Sequence, residues 1–169
     1  MGGSISVNSA KGKGSTFTVQ LTLPYAEELA EKDSTTADQN LHGLHLLLAE
    51  DNPLNQELCL ELLKSRGISS DCAVNGKEAL ELFTNSAPGT YALILMDIQM
   101  PKMDGYTATR EIRTLSSNKK ATIPIVAMTA NAFEEDRQKA FKAGMNAHIA
   151  KPIDIKTILA VFDLVFGTS

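Results

Sequence analysis

"LILMDIQMPKMDGY", Leu93 to Tyr106, runs four apolar residues straight into Asp97 and then meets proline, a second aspartate and glycine. A short apolar run bounded by turn residues reads as a buried strand. An unpaired carboxylate at the mouth of such a strand is costly. Asp97 is therefore either neutralised by partners or kept there to react.

Working outward, the same grammar repeats from Leu44 onward. "LHLLLAE" (44–50) is a buried strand, after which Asn52-Pro53 caps and opens a helix. Leu54, Leu58 and Leu62, with Cys59 and Leu63, are expected to form the single apolar face of that helix, and Gly67 to stop it. "SSDCAVN" is a short peripheral strand and "GKEALELFTNS" a second helix. "YALILMD" leads to a third helix over "MDGYTATREIRTLSS". "TIPIVAMTA", "NAFEEDRQKAFKAG", "MNAHIAK" and "DIKTILAVFDLVF" continue as strand, polar helix, strand and closing amphipathic helix. Strands that alternate with helices, and are apolar throughout rather than on every second residue, mean a parallel sheet covered on both faces. In such an α/β sheet the functional site lies at the carboxyl ends of the strands.

The residues at those ends form one set: Glu50-Asp51, Asp97, Thr129, and Lys151 followed by Pro152. Taken singly, each has a plain reading. Acidic residues favour a helix start, Thr129 would serve as a cap, and Lys151 as a solvated side chain. Together they place three carboxylates, one hydroxyl and one ammonium at the same end of one sheet. Clustered carboxylates need a cation, and an oxygen-only set suits Mg²⁺. A compact ammonium suits phosphate oxygens. A carboxylate beside Mg²⁺ is a nucleophile toward phosphorus, with the charges nearby stabilising the transferring group.

Composition excludes several other classes. The 169 residues carry a net charge of -4, which argues against nucleic acid as a partner. Cys59 and Cys72 suit neither a disulfide framework nor a zinc site and read as buried thiols. No leader opens the chain and no apolar run approaches a membrane span, so the expectation is a cytoplasmic fragment without direct membrane contact.

"LLLAEDNPLNQEL", "LILMDIQMPKMDG", "IVAMTAN" and "HIAKPID", in this order, resemble the receiver (response-regulator) domain of two-component signalling, over about Leu44 to Phe166. The resemblance implies a doubly wound (βα)5 flavodoxin-like fold, its five parallel strands in the order 2-1-3-4-5. It implies Asp97 as phosphoacceptor. Mg²⁺ would be bound by Asp51, Asp97 and the backbone carbonyl of Gln99, with Glu50 acting through water. It makes Thr129 the switch hydroxyl, Lys151 the phosphate-binding lysine and Ala130 a backbone donor to the phosphate. Asp104 and Gly105 would be structural. Gln99 and Asn131 would tune the lifetime of the phosphate. His148 stands where the family often has an aromatic switch residue, a departure that puts that half of the switch in question.

Residues 1–23 alternate as two strands around "SAKGKGS", a β-hairpin too small to be stable alone. "MGGSISVNSAKGKGSTFTVQLTLP" resembles the last strands of a histidine-kinase ATP-binding domain. Residues 24–43 then read as a linker and 44–169 as the receiver. The ATP-binding boxes and the phosphorylated histidine are not in the chain. The implied parent is a hybrid sensor histidine kinase working in a phosphorelay, itself anchored in a membrane in many cases. The implied partners are the parent's kinase domain and a histidine phosphotransfer protein. The alternatives are a docking module that never accepts phosphate, and a phosphatase of the haloacid-dehalogenase type. The latter needs an aspartate where Gln99 stands.

Overall fold

The computed structural model describes residues 3–21, 41–115, 118–130 and 134–166, which fall into two units. The first is an antiparallel hairpin of β1 (Gly3–Ala10) and β2 (Gly14–Leu21). Its turn needs glycine, because Gly12 and Gly14 take φ of 78° and 86°, where a side chain is strained. Ile5 faces Val19 and Val7 faces Phe17 across the ladder, so all four share one face. All four are exposed. Residues 22–40, which include most of the expected linker (24–43), lie outside the described residues.

The second unit is a five-stranded parallel sheet in the order β4-β3-β5-β6-β7. Its strands are β3 (His45–Ala49), β4 (Ser69–Ala73), β5 (Leu93–Asp97), β6 (Ile125–Thr129) and β7 (Ala147–Ala150). Counted from β3, this is the expected order 2-1-3-4-5, and the fold class is α/β, doubly wound and flavodoxin-like. Between the strands run α1 (Pro53–Lys64), α2 (Gly76–Asn85), α3 (Gly105–Arg113) and α5 (Glu134–Ala143), and α6 (Ile155–Phe166) follows the last strand. A one-turn α4 (Asn118–Ala121), not expected from the sequence, precedes β6.

The continuous apolar strands are explained by two cores. Leu46, Leu48, Leu93, Leu95, Val126 and Met128 point to the layer containing Cys59, Leu63, Ile158 and Phe162. Leu47, Ala49, Ile94, Met96, Ile125 and Ala127 point to the other, with Ala79, Phe83, Ala108 and Ile112. Successive strand residues alternate between the two layers, so neither position can be polar. Leu41, ahead of β3, is also buried in the first layer.

The chain leaves β3 toward β4 on one side and returns to β5 on the other. The carboxyl ends of β3 and β5 therefore meet at the reversal of strand order, where a crevice opens.

Helix α1 starts as expected, with the Asn52 side chain accepting from the N–H groups of Leu54 and Asn55. Its apolar face does not follow the expected stripe. Cys59 and Leu63 are buried, whereas Leu54 is 74% and Leu58 43% exposed. At about 100° per residue, Leu54 lies on the opposite side of the helix from Leu63. Six apolar residues in twelve (five leucines and Cys59) made more than one face, and only the Cys59–Leu63 side meets the sheet.

The turn after β5 is held tightly. Gly105 donates its N–H to the Ile98 carbonyl at 3.0 Å. A Cβ at Gly105 would collide with the carbonyl oxygen of Asp97 and meet Met96 Cγ at 3.0 Å. Gly105→Ala is expected to destabilise the fold by about 1–3 kcal/mol through overpacking against backbone that cannot yield. A denaturant midpoint equal to wild type would contradict this.

Candidate functional site

Glu50, just past β3, and Asp97 and Thr129, the last residues of β5 and β6, are 0%, 4% and 8% exposed. Asp51 follows Glu50 and is exposed. Lys151, just past β7, reaches across the sheet ends to both buried acids. Its Nζ lies 2.7 Å from Asp97 Oδ2 and 2.6 Å from Glu50 Oε2. A carboxylate oxygen from each of Glu50, Asp51 and Asp97 lies within 4.8 Å of the others. All five expected residues thus stand at the crevice end of the sheet, although four different strands contribute them.

Hydrogen bonds set the remaining orientation. The Gln99 N–H donates to Asp97 Oδ1 at 3.2 Å, which fixes the turn that would present the Gln99 carbonyl. The Lys151 N–H donates to the Thr129 carbonyl at 2.7 Å, tying the end of β7 to β6. Glu50 Oε1 accepts from Asn55 Nδ2 at 2.9 Å and from the Asn52 N–H at 3.3 Å. Gln56 Nε2 donates to the Glu50 backbone carbonyl.

Electrostatics at the site are unbalanced toward negative charge. Burial raises the Asp97 carboxyl above its ordinary range; the hydrogen bond and charge of Lys151 oppose this, and the neighbouring Glu50 adds to it. For Lys151, burial alone would lower the ammonium, but its bonds to Asp97 and Glu50 outweigh that and leave it raised and charged. One ammonium thus serves two buried carboxylates, with Asp51 beside them. A hard divalent cation with oxygen ligands fits this donor set.

A groove of about 610 Å³ runs beside the acids, lined among others by Gln99, Tyr106, Thr129, Ala130 and Lys139. Ala130, next to Thr129, is exposed at its edge. His148, on β7, is partly buried and stands edge-on to Phe141 of α5, ring centroids 6.5 Å apart. Asn131 lies outside the described residues. The Cys59 thiol, buried in α1, is pushed up to about 11 by desolvation first and by the Glu50 charge second. At that value it is no nucleophile at neutral pH.

Sequence reasoning did not find Asn55 or Gln56. The visible signal was a pair of amide side chains in the first turn of a helix that follows two acids. It also passed over Arg113. That guanidinium donates to the carbonyls of Gly144, Ala121 and Ile123 and to Asn146 Oδ1, at 2.8–2.9 Å, and so ties the loops that precede β6 and β7.

Residues 46–163 match the family described as response regulator receiver domain. The chain is 38% identical over 168 residues to the aerobic respiration control sensor protein ArcB of Escherichia coli (strain K12), a match that covers 99% of the chain and 21% of that sensor. Among solved structures it is similar to the receiver domain of the sensor histidine kinase PA1611 from Pseudomonas aeruginosa PAO1, which has a magnesium ion coordinated in its active site cleft. That match has a TM-score of 0.66 and 36% identity, and covers 75% of this chain and 99% of that one. It is also similar to the receiver domain of Ssk1, solved in complex with the histidine phosphotransfer protein Ypd1 of Saccharomyces cerevisiae. There the TM-score is 0.64 and the identity 30%, covering 71% of this chain and 86% of the other.

Proposed function

Because this chain belongs to the response regulator receiver domain family, in the form carried by hybrid histidine kinases, we propose that it accepts a phosphoryl group on Asp97 from a phosphohistidine and passes it on. The observation that carries the reading is the Lys151 ammonium bridging buried Asp97 and Glu50 within hydrogen-bond distance, with Asp51 alongside. Mg²⁺, the ion for which the site is built, would be held by Asp51, Asp97 and the Gln99 carbonyl with Glu50 through water, and supplies positive charge against the phosphoryl oxygens.

The chain's own residues do the rest. Asp97 Oδ attacks phosphorus in line with the departing histidine nitrogen, whose bond to phosphorus breaks as the acyl phosphate forms. Lys151 leaves its pairing with Asp97 Oδ2 and takes up a phosphoryl oxygen. Thr129 and the Ala130 N–H bind the others, at the rim of the groove. The product brings about -1.5 to -2 units of charge. Drawing Thr129 toward it changes the packing of β6 against β7, whose His148 is in edge contact with Phe141 of α5, and this is the readable switch. Gln99 and, by the resemblance, Asn131 tune how long the phosphate lasts. Acetyl phosphate with Mg²⁺, followed by mass analysis of the modified residue, tests the reading; modification of a residue other than Asp97, or none, ends it.

The onward partner is a histidine phosphotransfer protein that docks on the exposed side of α1. Leu54 and Leu58 present an apolar patch there, and Leu58 shares a small cavity with Lys151 and Pro152, next to the reactive carboxylate. Leu58→Asp is expected to slow transfer to such a partner about tenfold or more, as loss of an interface anchor does. Uptake from acetyl phosphate should be unchanged. Equal slowing of both reactions would contradict this.

The parent is a sensor kinase, of which the chain spans about a fifth in the ArcB match. Residues 1–23 are the tail of its ATP-binding domain, 24–43 a linker and 44–169 the receiver. The exposed Ile5, Val7, Phe17 and Val19 face supports this, because a strand pair of that kind is built to be covered. No helix among the described residues is long and apolar enough to cross a membrane. The receiver works in the cytoplasm.

A further inference from the structure

We propose that Asn55 is a positioning residue for the Glu50 carboxylate and through it sets how tightly the acidic cluster holds its divalent cation. This rests on the phosphoacceptor reading above and adds to it a residue outside the reacting set.

Glu50 is fully enclosed, and a carboxylate in that position needs a donor on each oxygen. Oε2 is turned to Lys151 at 2.6 Å. Oε1 receives Asn55 Nδ2 at 2.9 Å and, at a longer 3.3 Å, the Asn52 N–H. The amide of Asn55 is thus the principal donor that keeps Oε1 turned inward and Oε2 facing the site. Asn55 stands in the first turn of α1, and side chains there lean back toward the helix start, which brings its amide over Glu50. Asparagine is a middling helix former, so propensity does not account for it at this position. Gln56 holds the Glu50 backbone carbonyl from the same turn, so the carboxylate and its backbone are both anchored to α1. A carboxylate held in this way presents one fixed oxygen to the ion's surroundings, and donors that orient metal-binding groups govern affinity strongly.

The test is titration of Mg²⁺ alone into the full chain, read by calorimetry, independent of phosphorylation. Asn55→Ala is expected to weaken binding about tenfold or more. Asn55→Ser, well tolerated in a first helical turn and one bond too short to reach, should do the same. Asn52→Ala removes the helix cap but keeps its N–H on Glu50, and should change the affinity by less than about threefold. In a Glu50→Gln background, Asn55→Ala should cost nothing further, because the two residues act on one path.

Unchanged Mg²⁺ affinity in both Asn55 variants overturns the proposal, as does full additivity with Glu50→Gln or an equal loss in Asn52→Ala. Unfolding of both Asn55 variants overturns it too, since Asn55 would then act on α1 rather than on the ion. A wild-type chain that binds no Mg²⁺ removes the phosphoacceptor reading as well. A wild-type chain that binds it with indifference to Asn55 removes only this proposal.

Discussion

Asp97→Asn should take up no phosphoryl group from acetyl phosphate and Mg²⁺, while its ion-free fold is as stable at neutral pH as the wild type or more so. The first half follows from chemistry, because an amide oxygen is not a nucleophile toward phosphorus under these conditions. The second half follows from burial. The folded chain holds the Asp97 carboxyl above its ordinary value of 3.8, chiefly by desolvation. A raised carboxyl means that folding favours the protonated form. The penalty is absent below the ordinary value and grows as pH rises above it. Asparagine carries no charge and escapes it, and Lys151 keeps Glu50 as its partner at 2.6 Å. Thermal unfolding of both proteins without Mg²⁺, at pH 4 and pH 7, checks this: the advantage of the variant should be larger at pH 7. A variant that unfolds well below wild type at pH 7 would show that the Lys151–Asp97 pair outweighs desolvation.

Lys151→Met should destabilise the ion-free chain by about 3–5 kcal/mol at neutral pH, the usual cost of removing one partner from a buried charge pair. Here the loss strands two acids at once. Glu50 is wholly buried, the Asp97 side chain is 5% exposed, and both lean on the same ammonium. Two rescues are expected. Mg²⁺ binds only the folded chain, and at about a hundredfold excess over its Kd it returns about 2.7 kcal/mol. Acidification protonates Asp97, whose carboxyl is already raised by burial, and returns part of the rest. Phosphate uptake in saturating Mg²⁺ should still be slowed, because the ion does not replace the ammonium that meets the phosphoryl oxygen. Denaturant unfolding with and without Mg²⁺ decides it. A variant that gains no stability from Mg²⁺ or from acidification would mean that Lys151 supports the fold by packing rather than by charge.

The set gathered at the crevice was legible because each member ends or follows a strand whose identity was plain from an apolar run. Asp97 follows "LILM", Thr129 follows "IVAM", and Glu50-Asp51 follow "LLLA". Once these runs are parallel strands, their last residues must share an edge. The pairing of Lys151 with both Glu50 and Asp97 was not legible, since it depends on how far one side chain reaches across three strands. Asn55 was missed for a related reason. Its amide looks like an ordinary polar residue at a helix start until the buried carboxylate beneath it is seen. The stripe on α1 was misread because an apolar residue every four positions resembles one face, although Leu54 and Leu63 stand on opposite sides.

What the sequence determined by itself is the parallel sheet covered on both faces, the chemistry at its carboxyl end and the family it belongs to. Local periodicity dictates each element, and the alternation of elements leaves few ways to wind them. What only the tertiary structure decided is which partner each charge meets and which leucines of α1 stay exposed. A helix's rotation about its axis and the reach of a side chain are set by the elements packed against it, and neither is written in the residues that carry them.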